Sequence, residues 1–210
     1  MAAEARSKGA PKPGLVLASA SERRLALLRQ IGIEPSKIDP AALDEAPRRA
    51  ELPPDLAARL ALEKARTVGE RNAGAWVLAA DTVVCRGRRL LAAPGDEDMA
   101  RTWLALLSGC AHRVHTGVVV IDAQGRTRTR LTTSRVTFKV LSRQETDAYI
   151  ASGEWRGKAG GYAIQGRAAA FVRALQGSYS NVVGLPLFET AALLGGLGFP
   201  LYGGAPERAP

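Results

Sequence analysis

Five short stretches of the chain carry side chains whose types and spacing suit chemistry. The first is Ala79-Ala80-Asp81-Thr82, inside the apolar run Trp76 to Cys85. A carboxylate there is costly unless it is paired, hydrogen-bonded or bound to a metal. At a strand end in an α/β sheet it would face the ligand crevice; a structural Asp satisfied by backbone amides is the other reading. The second is Ser19-Ala20-Ser21-Glu22-Arg23-Arg24 at a strand-to-helix turn, where two hydroxyls, free N–H groups and two guanidiniums meet the positive end of a helix dipole. That describes an anion site, and equally an ordinary N-cap followed by solvated arginines.

Lys64 follows Glu63 and is flanked by Leu60, Ala61 and Ala65, so it lies near the core side of its helix or snorkels to the surface. The pair Asp44-Glu45 supplies carboxylate oxygens, which join Asp81 on a divalent cation or are merely solvated. In Gly157-Lys158-Ala159-Gly160-Gly161-Tyr162-Ala163-Ile164-Gln165-Gly166, the glycines let backbone approach a ligand, and Lys158 and Gln165 are its polar groups. It is not a P-loop: Gly153 stands four residues before Gly157, and Ala159 replaces the Ser/Thr.

The elements that must position these residues are readable from pattern. Leu15 to Ala18 is a short buried strand, then Ser19 or Ser21 caps a helix that Gly32 ends. Ile33 to Pro53 is Pro-broken loop with one strand at most, and Pro54 opens a helix to about Asn72. Trp76 to Cys85 is a central strand turned by Arg86-Gly87-Arg88 into a hairpin, and Asp96 caps a helix through Leu107. Val114–Asp122 and Arg126–Val140 form a long hairpin, followed by a capping box at Ser142–Glu145 whose helix Gly153 closes. Strands around Tyr162–Ile164 and Ala169–Leu175 and a helix from near Pro186 complete an α/β protein with a mixed, twisted sheet. Residues 14–201 read as one domain, with flexible tails at 1–13 and 202–210.

Composition narrows the function. The 210 residues are 46% hydrophobic, and such a length buries roughly 70% of its unfolded surface. Lys plus Arg number 29 against 20 Asp plus Glu, a net +9 that points to an anionic partner. Two cysteines, Cys85 and Cys110, exclude a disulfide scaffold or a Cys-based zinc site. No apolar run is long enough to span a membrane, and the stretch at Leu15–Leu17 is too short for a signal peptide, so a cytoplasmic protein is expected. His112 and His115 lack the spacing of a zinc helix. Arg126, Arg128 and Arg130 alternate along one strand without interleaved aromatics, which fits a solvated face better than a nucleic-acid track.

In order and spacing, Leu17 to Arg24, Ala61-Leu62-Glu63-Lys64-Ala65, Leu78 to Val84, Leu107-Ser108-Gly109 with His112 and Thr116-Gly117-Val118, Lys158 to Gly166, and Gly177-Ser178-Tyr179 through Val183 to Leu187 resemble the Maf family of nucleoside triphosphate pyrophosphatases. The resemblance covers about Gly14 to Gly198. It implies a mixed-sheet fold like that of the ITP pyrophosphatases, with two lobes around a cleft. It also implies cleavage between the α- and β-phosphates, with a divalent cation, Mg²⁺ or Mn²⁺. On the family's motifs Asp81 is the general base; Arg23, Arg24 and Lys64 hold phosphates; Glu45 assists the metal with Asp81. Arg23, Thr82 and Gln165 fall at positions tied to base choice, and Asp-Thr with Tyr-x-Ile-Gln-Gly resembles the branch acting on dTTP and UTP. A homodimer is a further family expectation.

Two departures stand out. The family's Ser-Pro-Arg-Arg is here Ser21-Glu22-Arg23-Arg24. The lysine the family carries beside a proline after the central hairpin is absent from Leu91-Ala92-Ala93-Pro94, leaving Arg88 or Arg89 as candidate substitutes. Two other functions therefore remain open beside the enzyme: a catalytically weak regulatory or nucleotide-binding member acting in cell division, and a basic nucleic-acid-binding module.

Overall fold

A computed structural model describes residues 14–201, and the tail segments 1–13 and 202–210 lie outside the described residues. Strand β1 (Leu15–Leu17) turns into helix α1 (Glu22–Gln30), whose inner side is Leu27 and Leu28. The short strand β2 (Lys37–Ile38) precedes a long irregular stretch, and helix α2 (Pro53–Arg71) starts on two prolines, where a missing N–H costs nothing. Strand β3 (Trp76–Arg86) and strand β4 (Arg89–Leu90) make the expected hairpin. Helix α3 (Glu97–Leu107) is capped by Asp96, which accepts from the Met99 N–H at 2.8 Å.

Strands β5 (Ala111–Ile121) and β6 (Thr127–Phe138) pair along their whole length. Helix α4 (Arg143–Ser152) has the capping box and a left-handed Gly153 after it. Strand β7 (Val172–Gln176), helix α5 (Tyr179–Val183) and helix α6 (Leu187–Leu197) complete the chain. No described helix is long and apolar enough to cross a membrane.

Two expected strands differ. Tyr162–Ile164 is not a strand: it leaves a 3-10 turn at Ala159–Gly161, and its backbone is received by a side chain, the Tyr149 hydroxyl. The strand that pairs with the outer edge of β6 is β7. Ala169 to Phe171 belongs to a second 3-10 turn, so β7 begins only at Val172. Helix α5, five residues long, is too short to show a period in sequence.

The sheet is seven-stranded and mixed, in the order β2-β1-β3-β5-β6-β7 with β4 also on β3. β1 is parallel to β2 and β3, and the other pairs are antiparallel. β1 reaches only as far as Leu78 on β3, and β4 rejoins β3 only at Cys85. Between them the edge of β3 has no strand neighbour on that side. Apolar side chains close the molecule around this gap. Leu15, Leu17, Leu28, Leu78, Val120 and Leu194 form a core at one end, with Val16, Ala61, Val68 and Val119 under α2 on the other face. Val84, Leu104, Leu107, Phe138, Tyr149 and Tyr162 form another core at the far end.

Candidate active site

Successive residues of a strand point to opposite faces, and β3 uses this at Asp81 and Thr82. Asp81 points toward α2, where Lys64 Nζ donates to its Oδ1 at 2.6 Å. Both side chains are buried, so the pairing answers the cost of placing a carboxylate in an apolar strand. The helix comes this close because Gly117 is the cross-strand partner of Asp81: a Cβ at that position would lie 2.4 Å from the Ala57 carbonyl oxygen. Glu45 reaches the same nitrogen at 2.5 Å, whereas Asp44 folds back to accept the Ala46 N–H at 2.9 Å. One ammonium thus gathers two carboxylates, and Asp81 Oδ2 has no hydrogen-bond partner among the described residues. Asp81 sits mid-strand, not at a strand end; the crevice opens because β1 stops short.

On the opposite face, Thr82 Oγ1 lies 3.0 Å from Thr116 Oγ1. Arg24 donates from Nε to the Gly184 carbonyl at 2.9 Å, from Nη1 to Ser19 Oγ at 2.9 Å and from Nη2 to Thr82 Oγ1 at 3.3 Å. Burial pushes the Arg24 pKa below its ordinary value; Asp81 opposes that shift, Arg23 adds to it and Glu45 opposes it. Neither serine caps α1 with its side chain, contrary to expectation: Ser21 holds the N-cap position without a side-chain bond, and the Ser19 hydroxyl is engaged by Arg24 and the Ser21 N–H. Arg23 is half-buried and makes no hydrogen bond or ion pair among the described residues, and burial lowers its pKa too.

The glycine-rich segment forms the facing wall. Gly160 adopts φ +74°, and a Cβ on it would meet Val84 Cγ1 at 2.9 Å, so the loop lies directly on β3. Tyr162 pins it from behind, with its hydroxyl 2.7 Å from His112 Nε2. His112 is buried edge-on to Phe138, and burial pushes its pKa down to about 4. It is therefore a neutral core residue here, and His115 bonds Thr133 at 2.8 Å. Lys158 Nζ donates to the Arg156 carbonyl at 3.1 Å; burial lowers its pKa, as does Arg23, while Glu154 and Glu22 oppose this.

Of the residues singled out in sequence, Ser21, Arg23, Arg24, Glu45, Lys64, Asp81, Thr82, Lys158 and Gln165 line one cleft of about 200 Å³. Ser19 stands behind it, holding Arg24. Arg88 and Arg89 are not in its lining, and Arg89 instead stacks over Trp103, 5.5 Å from the ring centroid. Ala93 lines an adjoining, mostly apolar recess that shares Glu45 and Asp81. Sequence reasoning gave no role to the Gly184 carbonyl or to Asn181, which is fully buried and donates to the Val114 carbonyl and to Ser134 Oγ at 3.1 and 2.9 Å. The signal for this corner was the family-like stretch from Gly177 through Val183 to Leu187, which marked the segment without assigning its residues.

Residues 14–197 match the family described as Maf-like protein. The chain belongs to the Maf family. Its relatives include the dTTP/UTP pyrophosphatase of Rhodospirillum rubrum, 58% identical over 196 residues, which are 93% of this chain and 91% of that protein. The dTTP/UTP pyrophosphatase of Paramagnetospirillum magneticum is 61% identical over 185 residues, 88% of this chain and 97% of the relative. Among solved structures, a HAM1 protein from Coxiella burnetii matches 62% of this chain and 75% of its own at 13% identity, with a TM-score of 0.43, a likeness too loose to weigh on function.

Proposed function

We propose that this Maf-family chain hydrolyses dTTP and UTP between the α- and β-phosphates, releasing pyrophosphate and the nucleoside monophosphate. The observation that carries the reading is the meeting of the Glu45–Lys64–Asp81 cluster with Arg23, Arg24 and Lys158 across one small cleft. Phosphoryl transfer is mostly positioning and charge neutralisation, and these cations supply both. Asp81 takes the proton of the attacking water on Oδ2, with Lys64 holding the other oxygen in place. Arg23 and Lys158 receive phosphate oxygens, and Arg24 presents Thr82 and the Gly184 corner to the nucleoside. Ser21 adds its hydroxyl beside the arginines, and Gln165 at the cleft mouth contributes to base selection.

No group of three or more His, Cys, Asp or Glu side chains forms a cage among the described residues. Mg²⁺ does not need one, since it binds through one or two carboxylates plus substrate phosphates. Glu45 and Asp81, drawn together on one ammonium, are such a pair and would hold it. Bound there, Mg²⁺ or Mn²⁺ supplies further charge neutralisation on the phosphates. The reading takes residues 14–201 as one unit whose two cores are the lobes flanking the cleft, acting in the cytoplasm as a homodimer.

The test is pyrophosphate release from a panel of nucleoside triphosphates with Mg²⁺ or Mn²⁺, in which dTTP and UTP should exceed the purine nucleotides. Equal release from every nucleotide overturns the substrate assignment. A second reading, a nucleotide-binding regulator of weak activity, is favoured by one observation: Ala93 brings no cation to the recess, and Arg89 is engaged by Trp103. Nucleotide binding with no release would support that reading instead.

A further inference from the structure

Glu45 is carried by the irregular stretch between β2 and α2, which has no strand or helix of its own to hold it. Several side chains tie the stretch to α2: Arg71 holds Asp39 and the Pro40 carbonyl at its start, Lys64 meets Glu45 itself, and Arg59 is the centre of the cluster that follows Glu45. Arg59 forks onto Glu51, from Nε to Oε1 at 2.6 Å and from Nη2 to Oε2 at 2.9 Å. Nη2 also donates to the Ala46 carbonyl at 3.1 Å, one residue from Glu45, and Nη1 donates to Glu63 Oε2 at 2.9 Å. Arg48 closes the cluster, donating from its backbone N–H to Glu51 Oε2 at 2.9 Å and from Nη2 to Glu63 Oε1 at 2.9 Å.

Most exposed ion pairs contribute little. This one differs in geometry and burial: the fork is bidentate, and the Arg59 and Glu51 side chains keep only 14% and 9% of their exposure. It also works against strain. Ala50, next to Glu51, has φ +59°, and it is the one non-glycine residue with positive φ among the described residues. That conformation is disfavoured for alanine and persists where surrounding contacts impose it. Glu63, one clasp partner, precedes Lys64 on the helix that delivers the ammonium to Glu45 and Asp81.

We infer that Arg59 is a positioning residue: by clasping Glu51, Glu63 and the Ala46 carbonyl it fixes the Glu45 carboxylate against the Lys64–Asp81 pair. Arg59 does not line the cleft and touches no reacting group. The clasp persists in mild acid, because the fork from Arg59 holds the Glu51 pKa down to about 2. The inference rests on the proposed hydrolysis only for its kinetic readout, since the loop itself can be followed without substrate.

The experiment compares Arg59→Met and Arg59→Lys in the natural background and in Glu45→Gln. In the natural background Arg59→Met should lower kcat/KM for dTTP by about 10- to 100-fold, the scale of a misplaced group. In Glu45→Gln it should lower it by less than about twofold, because the two changes act through one carboxylate. Arg59→Lys, which keeps the charge but loses the fork, should recover only part of the loss. Hydrogen exchange on the substrate-free protein should show faster exchange across 44–51 in Arg59→Met, with the β3 amides unchanged. Equal losses in both backgrounds, or unchanged exchange in 44–51, overturn the inference. If Arg59→Met does not fold, Glu51→Gln, which leaves α2 intact, carries both measurements with the same expected outcomes. A protein that releases no pyrophosphate yet shows the loop-specific exchange change separates the failure of the proposed reaction from that of the clasp.

Discussion

The two walls of the cleft are built on opposite principles. The wall of Asp81 and Lys64 stands on a central strand and a long helix, with Glu45 reaching in from the loop before the helix, and its charges are paired with one another, one ammonium to two carboxylates. The wall of Lys158 and Gln165 is glycine-rich loop, held by an aromatic cluster from behind, and it faces Arg23, which has no partner among the described residues. Paired, buried charges are fixed before anything binds and suit a reacting group. Unpaired cations on the rim have their charge left over for a ligand. The same division runs through the adjacent arginines, since Arg24 uses all three of its nitrogens on the protein and Arg23 uses none.

The comparison breaks most visibly at Asp81. Asp81→Asn should leave nucleotide affinity, measured by calorimetry, within a few-fold of the natural protein. It should cut the rate of pyrophosphate release by about 10²–10⁴. Near-normal turnover would remove Asp81 from the reaction. At Lys64 the expected effect is on folding as well: Lys64→Met leaves a buried carboxylate without its partner, a loss of about 3–5 kcal/mol in denaturant unfolding. A variant as stable as the natural protein would mean that the pair is not what holds this wall.

The arginines give a smaller, sharper contrast. Arg23→Ala should raise KM by roughly 10- to 100-fold, the worth of one charged hydrogen bond, without moving the melting temperature. Arg24→Ala should lower the melting temperature, because it strips partners from Ser19, Thr82 and the Gly184 carbonyl. Equal behaviour of the two would dissolve the distinction. A further effect is a pH dependence of the core behind the loop wall. His112 has its folded pKa lowered by burial to about 4 from an ordinary 6.5, so the unfolded chain binds more protons between those values. Stability is therefore full above pH 6.5 and falls as the pH is lowered toward 4. The fall is at most about 1.4 kcal/mol per unit, or roughly 3–5 °C in melting temperature. His112→Phe should flatten that slope, and an unchanged slope would assign it to other groups.

Much of this arrangement was legible beforehand, for physical reasons that differ by residue. Asp81 announced itself because a charge in an apolar strand must be compensated, and Asp96, Ser142 and Gly153 because end-capping chemistry is local. Period-2 alternation separates Asp81 from Thr82 but cannot say how far the neighbouring strand runs, so the gap left by β1 was invisible. Ser19 and Ser21 look like caps from their neighbours, yet the Ser19 hydroxyl is claimed by Arg24 from across the turn. Tyr162–Ile164 has the composition of a strand, but its partner is a tyrosine hydroxyl fourteen positions from Ala163, which no local pattern encodes. Arg89 could be nominated for the missing lysine because distance in sequence is silent about Trp103.

Strands β3 and β5 run unbroken through both cores and pair from Val77 to Cys85 across the span of the cleft. Any closing of the two ends upon each other would have to bend that ladder. The cost of organising Asp81 and Lys64 falls on folding, once per molecule, and not on each turnover.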